Sequence, residues 1–311
     1  MPRVLIAAEL QPLLPLDPLP GFETVWISAD DPTPRGDYVA IVPILSRPIG
    51  EVELEGLPDL KVLAQCAVGF DNIDLSAAAR RGIPVTNTPD VLTESTADLA
   101  WALILAVARR MKEGQEMLAN DSWTGWSPTQ LLGLELNGSN LGIVGAGRIG
   151  RAVGRRAVGF GMQVLYSDEA VQSDFETDVG ARRLDLSALL SESDVVTLHV
   201  PSNAQTRGFF DGRHFSAMKP GSLFINTARG DLVDEAALLA ALEDGALSGA
   251  GLDVFSREPD VPRALVEHPK VVALPHIGSA TTQTRRAMAE LAVKNAQEVL
   301  AGREPLTRVQ P

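Results

Sequence analysis

Short apolar runs, separated by stretches rich in proline and glycine, recur through the first part of the chain. They are Val4–Ala8, Thr24–Ile27, Val39–Pro43, Val62–Ala67 and Ile83–Thr86. Each is too short for a helix and shows no polar alternation, which predicts parallel strands buried on both faces. Helical or loop segments between them predict a small doubly wound sheet. A second series, Leu141–Val144, Gln163–Tyr166 and Val195–Val200, predicts another sheet of the same kind. Between the two, Thr93 or Ser95 can cap a helix running through Ala97–Met111. Its segment Leu99–Leu105 is apolar almost all round, which predicts burial between elements or between subunits. The final pattern, Thr284–Ala301, is that of an amphipathic helix. The expected fold class is therefore α/β, with two doubly wound parallel-sheet domains.

The second series carries a glycine pattern that the first lacks. After the run Leu141–Val144 come Gly145-Ala146-Gly147-Arg148-Ile149-Gly150, and Arg151-Ala152-Val153 then begins a helical pattern. In a strand–turn–helix unit, Gly145 permits the turn and Gly147 lets backbone approach a pyrophosphate. Gly150 lets the helix pack close to the strand. The helix N-terminus then offers unpaired N–H groups and a partial positive charge to phosphate. Asp168, at the end of the next apolar run, stands about 20 residues on, where a ribose-binding carboxylate belongs. Such an acid repels a 2′-phosphate, so NAD is expected rather than NADP. Glu169 beside it is a second candidate for the role.

Three further segments supply acid–base chemistry: NTARGDLVDE (Asn226–Glu235), GLDVFSREP (Gly251–Pro259) and LPHIGSAT (Leu274–Thr281). Reducing a 2-keto acid needs a cation that holds the carboxylate and polarises the carbonyl. It also needs an acid that protonates the carbonyl oxygen. Arg229 suits the first task because its planar fork grips a carboxylate through two hydrogen bonds. His276 suits the second, and Glu258 can fix its tautomer from the far ring nitrogen. Of the other histidines, His199 ends an apolar run and is expected to line the cofactor groove, while His214 and His268 read as surface or loop residues. No pair has metal-ligand spacing, so no metal is expected.

Together the four segments resemble the D-isomer-specific 2-hydroxyacid dehydrogenase family, from about Ala64 onward. The family's catalytic arginine, glutamate and histidine fall on Arg229, Glu258 and His276. The resemblance implies that Asp253 meets the nicotinamide end of the cofactor, and that Val200, Thr206, Thr227, Ala228, His276 and Gly278 also line it. It implies a smaller, flavodoxin-like and discontinuous substrate domain, residues 1–91 with 282–311, and an NAD-binding Rossmann domain, residues 92–281. The active site is expected in the cleft between them. Val68 and Gly69, in Ala67–Asp74, match a loop whose N–H groups meet the substrate carboxylate; a plain turn explains Gly69 equally well. Arg47 either reaches the substrate or is a solvated arginine. Family members are usually homodimers built through the nucleotide domain.

Thr88–Glu94, Trp123–Trp126 and His276–Thr281 look most like the glyoxylate/hydroxypyruvate reductase branch. In that branch a tryptophan matching Trp126 reaches the neighbouring subunit's substrate pocket; an ordinary core tryptophan is the other reading. The expected activity is NADH-dependent reduction of glyoxylate or hydroxypyruvate to the D-2-hydroxy acid. The alternatives are a D-3-phosphoglycerate dehydrogenase and, more remotely, a non-catalytic NAD-sensing corepressor. Formate dehydrogenases of the family carry glutamine where Glu258 stands, which disfavours that activity.

Composition narrows the classes further. The 311 residues suffice for two cores, and 45% hydrophobic with 22% charged residues is ordinary for a globular protein. A formal net charge of −13 argues against nucleic-acid or anionic-membrane surfaces. It also means an anionic substrate depends on local cations such as Arg229. The single cysteine, Cys66, lies in an apolar run and suits a packing role in a reducing cytoplasm. No secretory pattern opens the chain, and the longest apolar stretch, Leu99–Ala108, is too short to span a membrane.

Overall fold

The computed structural model describes residues 1–309. They divide into two compact units: Met1–Leu92 with the segment from Ser279 on, and Thr93–Gly278.

The first unit holds β1 (Arg3–Ala7), β2 (Glu23–Ile27), β3 (Tyr38–Val42), β4 (Val62–Ala64) and β5 (Val85–Thr86). They form a parallel sheet of order β2-β1-β3-β4-β5. Alternate side chains serve two cores, as a pleated strand requires. Val4, Ile6, Ala40, Val42, Val62 and Ala64 pack with Met288, Ala289, Ala292 and Val293 of the helix Thr282–Leu300. Leu5, Ile41, Leu63 and Val85 face the opposite way, onto Leu54, Leu57, Ala77 and Ala78. Several expected strands are shorter than their apolar runs; Ile83–Thr86, for one, forms a strand only at Val85–Thr86. Ala8 leaves the sheet to start a 3-10 helix, and Gln65–Ala67 stay buried beyond the end of β4, with Gln65 N–H still bonding Thr86 O at 2.9 Å. The Gln65 side-chain amide donates to Asn72 and to the carbonyl of Gly69.

The second unit holds β6 (Asn140–Val144), β7 (Gln163–Ser167), β8 (Arg182–Arg183), β9 (Val195–Leu198), β10 (Ser222–Asn226), β11 (Leu247–Leu252) and β12 (Val271–Ala273). The sheet is parallel, with order β12-β11-β10-β9-β6-β7-β8. Strand order reverses between β6 and β9, and in such sheets ligands bind beyond the carboxyl ends at that switch point. The helix Thr93–Ala108 packs its apolar residues on β10, β11 and the helix Arg148–Gly159. Ala100, Trp101, Leu103 and Ile104 are buried within this unit; Ala102 is exposed, and Leu99 and Leu105 are half-buried. Trp101 anchors the pair of helices by donating Nε1–H to the carbonyl of Val153 at 2.9 Å. Thr93 is the first helical residue rather than a cap, and the helix ends before Met111. Arg110 takes a left-handed conformation (φ 52°) and a second helix begins at Met111, while Leu134 N–H bonds the carbonyl of Ala108.

Candidate active site

The glycine turn divides three tasks among three residues. Gly145, between β6 and the helix Arg148–Gly159, has φ +93°, and a Cβ there would stand 2.8 Å from the carbonyl oxygen of His199. At Gly150 a Cβ would lie 2.1 Å from the carbonyl oxygen of Gly145, so only glycine lets helix and strand approach this closely. Gly147 is different: a Cβ there would meet nothing within 4 Å. It is the N-cap residue, and no side chain caps the helix, so the first turn keeps the N-terminal N–H groups and partial positive charge that suit an anion.

Asp168 follows β7 and does more than wait for a ligand. Its Oδ2 accepts from Ala146 N–H at 2.8 Å and its Oδ1 from Ala170 N–H at 3.1 Å, which pins the glycine turn to β7. Glu169 is exposed. Arg183 donates to the carbonyl oxygens of both residues, at 2.8 and 3.1 Å. Val200 packs near Gly145, and the Thr206 hydroxyl is taken by its own turn, accepting from Asn203 N–H and donating to Pro201 O. Thr227 Oγ1 is buried with no partner among the described residues, an orphan acceptor and donor at the end of β10. An uncapped helix start, open space at Gly147 and this hydroxyl together suit a dinucleotide. His199 bonds Thr197 Oγ1 through Nε2, and burial pushes its pKa down to about 3, so it is neutral.

Arg229, Glu258 and His276 leave the carboxyl ends of β10, β11 and β12. Asn226 fixes the first, accepting from Ala228 N–H and donating to Arg229 O at 2.8 Å. Asp253, 1% exposed, accepts from Ile277 and Gly278 N–H at 2.8 Å each. Its own carbonyl takes His276 N–H at 2.9 Å. These bonds hold His276 at φ 54°, a left-handed conformation uncommon outside glycine. Burial pushes the Asp253 carboxyl up from its ordinary value despite the two N–H donors. Glu258 accepts from Phe255 N–H through Oε1 at 2.9 Å, and its Oε2 lies 2.7 Å from His276 Nδ1. Burial raises the Glu258 carboxyl, but the His276 hydrogen bond, the Phe255 N–H and the charges of His276 and Arg229 prevail and hold it below its ordinary value. With Nδ1 turned to Glu258, Nε2 is left to meet a substrate.

Within the first unit, side chains hold the carbonyls of the other candidate loop. Asn87 donates to Val68 O at 2.8 Å and Gln65 to Gly69 O at 3.3 Å. The N–H groups of Val68 and Gly69 make no hydrogen bond among the described residues. Arg47 fits neither sequence expectation. It is 3% exposed and bonds the carbonyls of Ser28 and Asp31 and the Thr33 hydroxyl, a clip for the loop after β2. Trp126 is 83% exposed, so it is no core residue; it borders a hollow of about 420 Å³ with Met117, Leu118 and Trp123. His214 belongs to a capping box with Asp211, and His268 follows the short helix Arg263–Glu267. Cys66 is buried, which pushes its thiol up to about 12.

Sequence reasoning missed the supports around the trio: Asn226, the carboxylate of Asp253 as a clamp for 277–278, and Glu235, which accepts from Ser256 N–H and Oγ at 2.7 Å each. Their one signal was membership of the quoted segments. Among the described residues, no group of three or more His, Cys, Asp or Glu is placed to hold a metal ion. None of their helices is long and apolar enough to cross a membrane.

The chain as a whole is similar to proteins already known. Residues 101–278 match the family model for the NAD-binding domain of D-isomer specific 2-hydroxyacid dehydrogenases. A glyoxylate reductase of Thermococcus litoralis is 46% identical over 270 residues, 86% of this chain and 82% of that protein. The crystal structure of an NADPH-dependent glyoxylate/hydroxypyruvate reductase of Sinorhizobium meliloti, in complex with NADP and malonate, is 38% identical. It superposes with a TM-score of 0.88 over 99% of this chain and 96% of that one. A D-lactate dehydrogenase of Aquifex aeolicus, complexed with NAD and lactic acid, is 30% identical with a TM-score of 0.86, covering 96% of each chain. With a family model matched over more than half its length, the chain belongs to the D-isomer-specific 2-hydroxyacid dehydrogenases, enzymes that use a nicotinamide cofactor.

Proposed function

We propose that this dehydrogenase reduces glyoxylate and hydroxypyruvate to the corresponding D-2-hydroxy acids, with NADH as the preferred reductant. The observation that carries the reading is the 2.7 Å pairing of His276 Nδ1 with Glu258, close enough to Arg229 for its charge to act on the carboxylate. The names of the relatives point to the same substrates.

The nicotinamide, when bound, supplies a hydride to the carbonyl carbon. Arg229 holds the substrate carboxylate and draws charge toward the carbonyl oxygen, where negative charge develops. His276 gives the proton at Nε2 to that oxygen, so the product gains hydrogen at carbon and at oxygen. Glu258 keeps the proton on Nδ1 and stabilises the cationic imidazole before transfer. The unpaired N–H groups of Val68 and Gly69 support their assignment to the substrate carboxylate.

Asp168 supports NADH over NADPH. Its carboxylate already takes two main-chain N–H groups, yet two oxygens retain capacity for ribose hydroxyls. The phosphoglycerate dehydrogenase alternative loses support, because Arg47, its candidate phosphate-binding cation in the first unit, is consumed by the Ser28–Thr33 loop. A homodimer through the exposed apolar surface at Leu118, Trp123 and Trp126 completes the reading, and the lone, buried Cys66 fits a reducing cytoplasm.

The test is turnover with NADH and NADPH against glyoxylate, hydroxypyruvate, pyruvate and phosphohydroxypyruvate. The two small keto acids are expected to give the highest kcat/KM. A tenfold preference for phosphohydroxypyruvate, about 1.4 kcal/mol in transition-state binding, replaces this reading with the phosphoglycerate one.

A further inference from the structure

Glu235 opens the helix Glu235–Glu243, but that helix does not need it as a cap. Asp234 is the N-cap and already accepts from Ala236 and Ala237 N–H. The Glu235 carboxylate instead reaches the turn after β11, taking Ser256 N–H and Ser256 Oγ–H at 2.7 Å each, one on either oxygen. That turn is exposed from Ser256 to Asp260, so little packing holds it. It nevertheless carries Glu258, whose Oε1 accepts from Phe255 N–H, the neighbour of the gripped residue.

A second contact closes the frame on the other side. A Cβ at Gly230 would stand 1.9 Å from the carbonyl carbon of Phe255, so the main chains touch there. The stretch from Arg229 to Glu235 thus carries the arginine at one end, presses on Phe255 just beyond it, and grips Ser256 at the other end. The helix it leads into is anchored by Leu238, Ala241 and Leu242 in the core.

We propose that Glu235 is a positioning residue for the reaction: its two hydrogen bonds to Ser256 fix the turn that aims Glu258 at His276. This rests on the acid–base reading of Glu258 and His276. Glu235 touches neither and acts on catalysis only through the turn. Hydrogen bonds to a charged acceptor are the strong class, and a misplaced catalytic pair is costly in rate.

Four enzymes decide it: Glu235→Ala, Ser256→Ala, Glu258→Gln and the double variant Glu235→Ala/Glu258→Gln, each measured for kcat with glyoxylate and for NADH affinity. Glu235→Ala is expected to lower kcat about 10- to 100-fold, the scale of a displaced catalytic group, with NADH affinity unchanged. Ser256→Ala, which keeps the main-chain bond, should fall less and guards against a Glu235→Ala chain that does not fold. In the Glu258→Gln background, adding Glu235→Ala should cost little more, since its target is already gone. Wild-type kcat in Glu235→Ala beside a slow Glu258→Gln enzyme overturns the positioning role alone. So does full additivity in the double variant. Wild-type kcat in Glu258→Gln overturns the acid–base reading, and the proposal with it.

Discussion

His276 Nδ1 lies 2.7 Å from Glu258 Oε2, and each side chain is about one-third exposed, at 33% and 34%. The imidazole reaches that position from a left-handed backbone, and Asp253 holds it there through the N–H groups of the next two residues. A strained residue held by a buried carboxylate is the kind of cost that a catalytic site accepts in return for a fixed geometry. The pair is therefore set by β11 and its following turn as much as by the histidine's own segment.

If His276 gives the proton, His276→Asn should slow glyoxylate reduction roughly 10²–10⁴-fold while NADH still binds. Arg229→Ala should raise KM and lower kcat together, because the guanidinium holds charge in both ground and transition states. Stopped-flow turnover with fluorescence titration of NADH separates these outcomes. Near-normal turnover in His276→Asn ends the assignment.

Glu258 and Asp253 should leave opposite marks on stability as pH changes. The folded Glu258 carboxyl is held below its ordinary value of 4.5, so its contribution is present above that pH and lost as pH falls through the folded value. Asp253 is raised above 3.8, so folding favours its protonated form, and its contribution is present at low pH and lost as pH rises through the folded value. On acidification, the Tm advantage of wild type over Glu258→Gln should shrink, whereas its advantage over Asp253→Asn should grow. Parallel trends in the two comparisons contradict the assigned directions.

The three glycines of the turn should separate folding from binding. Gly150→Ala forces a Cβ to 2.1 Å from a main-chain oxygen and should cost about 1–3 kcal/mol, the usual scale of overpacking. Gly147→Ala meets open space at φ −71° and should fold normally. Its methyl would occupy the place left for the pyrophosphate, so NADH affinity should drop with Tm unchanged. Equal NADH affinity in wild type and Gly147→Ala would mean that the cofactor does not approach the helix start there.

The strands of the first sheet, and β6, β7 and β9 of the second, were legible because parallel strands buried on both faces read as continuous apolar runs. The others, β8, β10, β11 and β12, were not: β8 is two arginines, β11 is broken by Gly249 and Gly251, and β12 has only three residues. Gly145 and Gly150 report a close approach that only glycine allows. What stayed hidden depends on partners distant in sequence. Arg47 reads as a surface cation until the loop at Ser28–Thr33 folds over it and supplies carbonyls. Glu235 resembles any acid in a first helical turn until Ser256 arrives from the end of β11. The break at Arg110 carries no proline or glycine, so the apolar pattern reads as one helix through Met111. Candidate catalytic residues could be named from their chemistry, whereas the groups that hold them required coordinates.

Cofactor preference tests the double duty of Asp168. NADH should exceed NADPH in kcat/KM, and Asp168→Ala should narrow the gap by removing both ribose acceptor and 2′-phosphate repulsion. Because Asp168 also takes Ala146 N–H, the same variant should weaken NADH itself, not merely improve NADPH. Arg183, held on the carbonyls of residues 168 and 169, is a cation placed beside Asp168 that could meet a 2′-phosphate. In the Asp168→Ala background, Arg183→Ala should lower NADPH efficiency more than NADH efficiency. Wild-type efficiency equal or higher with NADPH would show that the carboxylate serves the turn alone.

The last expectation concerns assembly. Leu118, Trp123 and Trp126 are 62%, 51% and 83% exposed in one stretch of the second unit, where single scattered apolar residues would need no explanation but a cluster around a hollow does. A second copy covering this stretch removes the apolar surface from water on both chains, and a self-complementary contact is the commonest way to do so. Light scattering at micromolar concentration should report a dimer. Trp123→Glu, which places a charge in the apolar cluster, should shift the population toward monomer without lowering the Tm of the isolated chain. Trp126→Ala should then be compared for KM with glyoxylate at a concentration where the dimer persists. A raised KM supports the tryptophan's contribution to a substrate pocket. A wild-type protein that is monomeric and fully active removes both the dimer and that contribution.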